Sequence, residues 1–198
     1  MGAIFSSLGR TITAGVVLLL IILGIAAATT GTAVNLGAHE WWRFLFRWFH
    51  VLCGVMWIGL LWYFNFVQTP SMPKIPDVEK PAVTKVIAPT ALFWFRHAAL
   101  WTVITGLILA WMGGYIGQAL IFDKGVHTIG LGMWLALIMA FNVWFIIWPN
   151  QKKALGIVAV EPDAKAKAAR MAMLTSRVNT MLSLPMLYCM VAQQNGGL

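Results

Sequence analysis

Charge is what this sequence has least of. Among 198 residues, 14 are Lys or Arg and 6 are Asp or Glu, 10% in all, while 60% are hydrophobic. A soluble domain carries roughly 25% charged residues. So few charges cannot cover the surface of a soluble domain of this size, and that class is excluded. Cysteine is nearly absent as well. Cys53 and Cys189 both lie in apolar stretches, where a thiol serves as a small apolar filler. The sequence has no Cys-x-x-Cys-His for covalent haem and no Cys cluster for iron–sulfur. Phosphate-cradling glycine loops and the His-Glu-x-x-His pattern of zinc peptidases are missing too.

Apolar length is abundant. Residues 11–30, 48–68, 97–122, 125–151 and 178–198 carry no Asp, Glu, Lys or Arg. A bilayer crossing takes about 20 apolar residues at 1.5 Å of rise each. The pattern therefore predicts an all-α fold, a polytopic membrane helix bundle forming one transmembrane domain over residues 1–198. Five transmembrane helices are expected near 10–30, 43–68, 89–114, 126–149 and 171–192. The first apolar run is longer than a signal-peptide core and Arg10 alone is a thin basic flank, so it is read as a span.

Five spans put the termini on opposite sides. The N-terminal side receives eleven Lys or Arg, among them Arg10, Lys74, Lys80, Lys85, Lys152 and Lys153; the other receives Arg43, Arg47 and Lys124. The positive-inside rule then predicts a cytoplasmic N-terminus, a periplasmic C-terminus and a multi-pass protein of the bacterial inner (cytoplasmic) membrane. Orientation accounts for the basic residues, so the net charge of +8 does not imply nucleic acid. Tryptophans such as Trp41, Trp42, Trp94 and Trp148 crowd the span ends as an interfacial belt.

Four prolines in residues 69–88 predict an extended cytoplasmic loop. The helix formers from Asp163 onward predict one long helix that continues into the fifth span and contains Pro185. Residues 35–42 are expected to form a short helix at the outer interface.

An imidazole in lipid must be bonded or bound. His50 lies about two turns into the second span, with Gly54 and Gly59 following; His127 opens the fourth span, ahead of Gly130. Both belong to the outer half, on different helices, which is how a b-type haem is held between transmembrane helices. His50 and His127 are thus the candidate ligands of the haem iron. His97 opens the third span from the cytoplasmic side. It stands roughly 15–20 Å from His50 in depth by the helix rise, so one haem cannot easily take both, though His97 in place of His127 stays open. His39 lies in the outer loop.

A second polar group occupies the cytoplasmic half. Arg96, His97, Asn142, Arg177 and Asn179 either bond helices together or form a polar pocket for a carboxylate, a quinone or haem propionates. No carboxylate lies inside any span, which argues against a proton pump or cation channel. No catalytic residue is assigned.

The strings FRWFHVLCGVMWIGLLWYFNFVQTP, HTIGLGMWLALIMAFNVWFIIWPNQKKALG and SRVNTMLSLPMLYCM resemble the transmembrane N-terminal region of bacterial membrane-bound urate oxidases. The resemblance runs through most of residues 43–190. A more distant similarity of helix, His, Gly and Trp connects the chain to membrane protoporphyrinogen oxidases, which resemble haem-b-binding four-helix proteins. The resemblance implies a helical membrane module associated with electron transfer, with His50 carried over as a ligand. Long members add a C-terminal cytochrome c domain; the sequence here is expected to be a short form without it.

Three functions remain open. The first is a b-haem protein passing electrons near the periplasmic face, with the quinone pool, cytochrome c or other membrane subunits as candidate partners beside the lipid bilayer. The second is a cofactor-free structural or assembly subunit of a larger respiratory or photosynthetic membrane complex. The third is a membrane oxidase of the urate oxidase or protoporphyrinogen oxidase type.

Overall fold

The computed structural model describes residues 2–31 and 34–197, and all regular structure among them is helical. The chain divides into two units, residues 1–42 and 43–198.

The first unit is built on helix α1 (Leu8–Thr30). Its threonines would be costly in lipid, but the Thr29 and Thr30 hydroxyls donate to the carbonyls of Ile25 and Ala26 one turn back. Gly31, at φ 68°, ends the helix with its N–H on the Ala27 carbonyl. The separate helix expected at 35–42 does not form. The Asn35 side chain accepts from the Gly37 N–H in a turn, and helix α2 (His39–Trp62) starts at His39 and runs on.

In the second unit α2 passes through a π-helical stretch, Tyr63–Gln68. Then follow α3 (Ala88–Met112), the short α4 (Ile116–Leu120), α5 (His127–Phe141) and α6 (Pro162–Asn195). Residues 69–88 are not the extended loop the prolines predict. They form the short turns Thr69–Ser71, Met72–Lys74 and Lys80–Ala82 and the π-helical stretch Val83–Ile87. Pro70, Pro73 and Pro81 each sit within the first two positions of a turn, where a missing N–H costs nothing.

Among the described residues four helical stretches are long and apolar enough to cross a membrane: Leu8–Thr30, His39–Lys74, Lys80–Met112 and His127–Ala154. The expected count is five. Helix α6 has the length, at 34 residues, and it is the single long helix expected from Asp163 onward. Thr175, Ser176, Asn179, Thr180 and Ser183 interrupt its apolar content.

Hydrogen bonds and ring contacts show that α2, α3, α5 and α6 run alternately up and down. Going from α2 to α3, His50 meets Thr102 and Phe64 meets Phe95. Between α5 and α6, the Ile129 N–H donates to Gln193 and the Asn142 amide to Asn179. On the α6–α2 side, Trp62 donates to Ser183 and Asn65 to Ser176. Partner numbers fall on one helix as they rise on the other, closing a four-helix ring. Gly132 permits the close approach of α5 and α6, because a Cβ there would stand 3.0 Å from the Cys189 Cβ.

At the Lys152 end the ring is filled by a core that includes Trp57, Leu61, Phe95, Met139 and Ile147. Lipid tails are as apolar as these side chains, so within a bilayer the core holds through packing and interhelical bonds rather than transfer from water. Asn179, fully buried, accepts from Asn142 at 2.8 Å and donates to the Met139 carbonyl at 2.9 Å.

Candidate functional site

The core does not extend to the Arg43 end of the ring. There α2, α3, α5 and α6 enclose a cavity of about 640 Å³, within the 300–1,000 Å³ of small-molecule sites. Its walls are apolar: Val55 and Ile58 of α2, Met133 and Ala136 of α5, Leu187 and Met190 of α6. Polar groups gather at one end, where Arg43, Arg47, Tyr115, Gln194 and Asn195 stand.

His50 borders this cavity and a smaller recess of about 30 Å³ beside it, shared with Gly106, Met133 and Met190. Its Nδ1 lies 2.9 Å from the Thr102 carbonyl and 3.2 Å from the Thr105 hydroxyl. A backbone carbonyl only accepts, so Nδ1 carries the proton and donates. The tautomer leaves Nε2 with its lone pair and without a protein partner among the described residues. A metal-ligating histidine is oriented in this way, its other nitrogen bound to a carbonyl or carboxylate. Gly106 makes the ring's position possible: a Cβ there would lie 2.9 Å from His50 Cε1.

Arg43 and Arg47, one helical turn apart, have no acidic partner among the described residues, where the ion pair formed is Lys80–Asp77. Tyr115 lies between α3 and α4, outside the spans. Burial pushes its phenol above the ordinary range, against the opposite pull of the Arg47 and Arg43 charges. Deeper in the cavity the Trp57 ring forms part of the wall, and its buried indole N–H has no acceptor among the described residues.

The other expected site residues lie elsewhere. His127 is the first residue of α5 and does not line the cavity. At about 100° per residue it stands about 180–240° around the helix from Ile129, Met133 and Ala136, which do. His97 donates from Nδ1 to the Phe93 carbonyl on its own helix and lies against the Phe93 and Trp144 rings. It is five residues from Thr102, hence about 8 Å from His50's anchor along α3. That is closer than the expected 15–20 Å, but about 140° around the helix. Arg96 stacks on Trp148, 3.9 Å from the ring centroid. Asn142 and Asn179 bond each other, and Arg177 is exposed. None of these six lines the cavity. The sequence reading assigned no site role to Arg43, Arg47, Tyr115, Met133 and Met190, nor to Thr102, Thr105 and Gly106, whose signal was a pair of hydroxyls and a glycine on a largely apolar span.

Residues 112–196 match the family model for the urate oxidase N-terminal region. The chain is similar to that family over this stretch. The matched segment includes α4, α5 and all of α6, and so contributes Tyr115, Met133 and Met190 to the cavity. Two of the three resembling strings fall within it; the third, with Arg47 and His50, lies before it. No curated protein and no solved structure matches the chain.

Proposed function

We propose that this protein binds a b-type haem in the cavity and passes electrons near the periplasmic face of the bacterial inner membrane. The observation that carries the reading is His50, oriented through Nδ1 by the Thr102 carbonyl with Nε2 unengaged, at a cavity of cofactor size. The residues present fit the group. Apolar walls suit a macrocycle, and Arg43 and Arg47 would hold the two propionates by charge-assisted bonds. When bound, haem supplies one-electron exchange at its iron. The protein's part is to fix His50, hold the carboxylates and exclude water from the apolar walls. The sequence points to His127 as a second ligand, but Met133 and Met190, which share the recess with His50, would be placed to supply one.

The reading includes five spans with the N-terminus in the cytoplasm. Support for α6 as the fifth comes from the side each residue faces. Leu174, Val178, Met181, Leu184, Tyr188 and Val191 form an exposed, largely apolar stripe. Asn179, Ser183 and Ser176 bond to neighbouring helices. A helix that turns its polar side inward can span lipid at a lower mean hydropathy than one apolar all round.

The test is a dithionite-reduced minus oxidised spectrum of the detergent-purified protein, with pyridine haemochrome stoichiometry. A sharp α band and about one haem per chain, lost in His50→Ala, are expected. A flat spectrum from folded protein rejects the haem. A second reading, a membrane oxidase, is favoured by the family match at residues 112–196; it uses the same cavity for a substrate.

A further inference from the structure

The wall of the cavity between α2 and α6 is incomplete. At the Lys152 end these two helices are tied by the Trp62 indole N–H on the Ser183 hydroxyl at 3.0 Å. On its other flank α2 is tied to α3 by His50 and Thr102. Toward the Arg43 end no hydrogen bond joins α2 to α6 among the described residues. There lining residues of both helices are exposed, Val55 at 67% and Val191 at 61%, with Val51 also more than half exposed. A residue that both lines a cavity and is exposed stands at an opening. This opening is apolar on both sides; Val55 lies well inside α2, and Val191 about one turn inside the Gln194 and Asn195 amides that end α6. In a bilayer it faces acyl chains, whereas the arginines and amides stand at the helix ends, level with headgroups and water.

We propose that this slot is a lateral portal, and that the cavity takes its occupant from the leaflet at the Arg43 end rather than from water. The occupant is a planar amphiphile bearing carboxylates, of the porphyrin class. Apolar walls select the body, and two arginines without acidic partners select the acidic edge. The carboxylates stay at headgroup level while the body slides sideways between Val55 and Val191, so no charge crosses the apolar region. This inference rests on the cavity being the site named above, but not on iron ligation by His50.

The probe is metal-free protoporphyrin IX, premixed into phosphatidylcholine vesicles that hold the full-length protein. Entry is followed by quenching of tryptophan fluorescence. Val55→Trp/Val191→Trp should slow entry by about tenfold or more, because the bulk raises the barrier at the slot. Val55→Ala/Val191→Ala should speed entry, and this keeps the test decisive if the tryptophan variant fails to fold. Arg43→Gln/Arg47→Gln should weaken binding by about tenfold or more. Entry rates indifferent to both valine pairs would overturn the portal, as would displacement of the probe by a neutral quinone but not by a dicarboxylic porphyrin. Failure of the haem reading shows differently, as porphyrin entering normally while iron protoporphyrin gives no His50-dependent spectrum.

Discussion

Replacing Gly106 by alanine separates the site from the scaffold. The added Cβ would stand 2.9 Å from His50 Cε1 and 3.3 Å from Nδ1. Both atoms belong to one side chain, so the ring swings and the helices need not part. Swinging breaks the 2.9 Å bond to the Thr102 carbonyl, at a net cost of about 0.5–1.5 kcal/mol. Displacing the ring from its rotamer adds roughly 0.5–1.5 kcal/mol. The expected loss is therefore about 1–3 kcal/mol, with the fold retained. Haem content and the α band should fall toward those of His50→Ala, while thermal unfolding in detergent shifts only modestly. Gly132→Ala is the contrast. Its Cβ meets the Cys189 Cβ at 3.0 Å and the Met186 carbonyl at 3.5 Å, so α5 and α6 must separate; stability falls while the remaining folded protein keeps its spectrum. A Gly106→Ala protein with full haem content and an unshifted band would refute the reasoning about His50 orientation.

Other substitutions test the remaining contacts. Asn179→Leu removes two buried bonds, each worth about 0.6 and at most about 1.7 kcal/mol within membranes; the melting point should drop with haem content per folded chain unchanged. Met133→Leu and Met190→Leu should leave stability nearly intact, and whichever supplies the opposite ligand should alter the haem band; no change in either restores His127. Tyr115 should ionise above the ordinary phenol range, and Arg43→Gln/Arg47→Gln should raise it further, since those charges pull it down; absorbance of the phenolate on alkaline titration reads this. Because its folded pKa is raised, the contribution of Tyr115 to stability is complete below the ordinary phenol value and is lost as pH rises through the folded one. A reporter fused after Leu198 should be active only outside the cytoplasm if α6 is the fifth span; cytoplasmic activity would reduce the count to four.

Much of the architecture was legible from apolar length alone. Spans are long because the bilayer sets their length, and a run such as 11–30 cannot be anything but helix in lipid. The long α6 was legible from its helix formers. The helical turns over 69–88 were not, because a proline that breaks a helix interior also starts a helical turn, and only the fold decides which it does. Within the site, His50 was singled out because an imidazole in an apolar span demands a partner. That partner proved to be the backbone carbonyl of Thr102, and a carbonyl carries no sequence signature. His127, a shallower candidate at the same end, is kept from the cavity wall by the turn of α5.

The sequence by itself determined that the chain is helical, that its helices are of membrane length, and which end of each is rich in positive charge. These follow from composition along the chain, a one-dimensional property. Only the tertiary structure decided which faces meet. It set Gly106 beneath His50, turned the polar side of α6 inward, left α2 and α6 apart beside Val55 and Val191, and brought Arg43 and Arg47 to the mouth of one cavity. Those outcomes depend on rotation about each helix axis, and in spans apolar on nearly every side the rotation is set by packing and interhelical bonds, not by hydrophobic pattern.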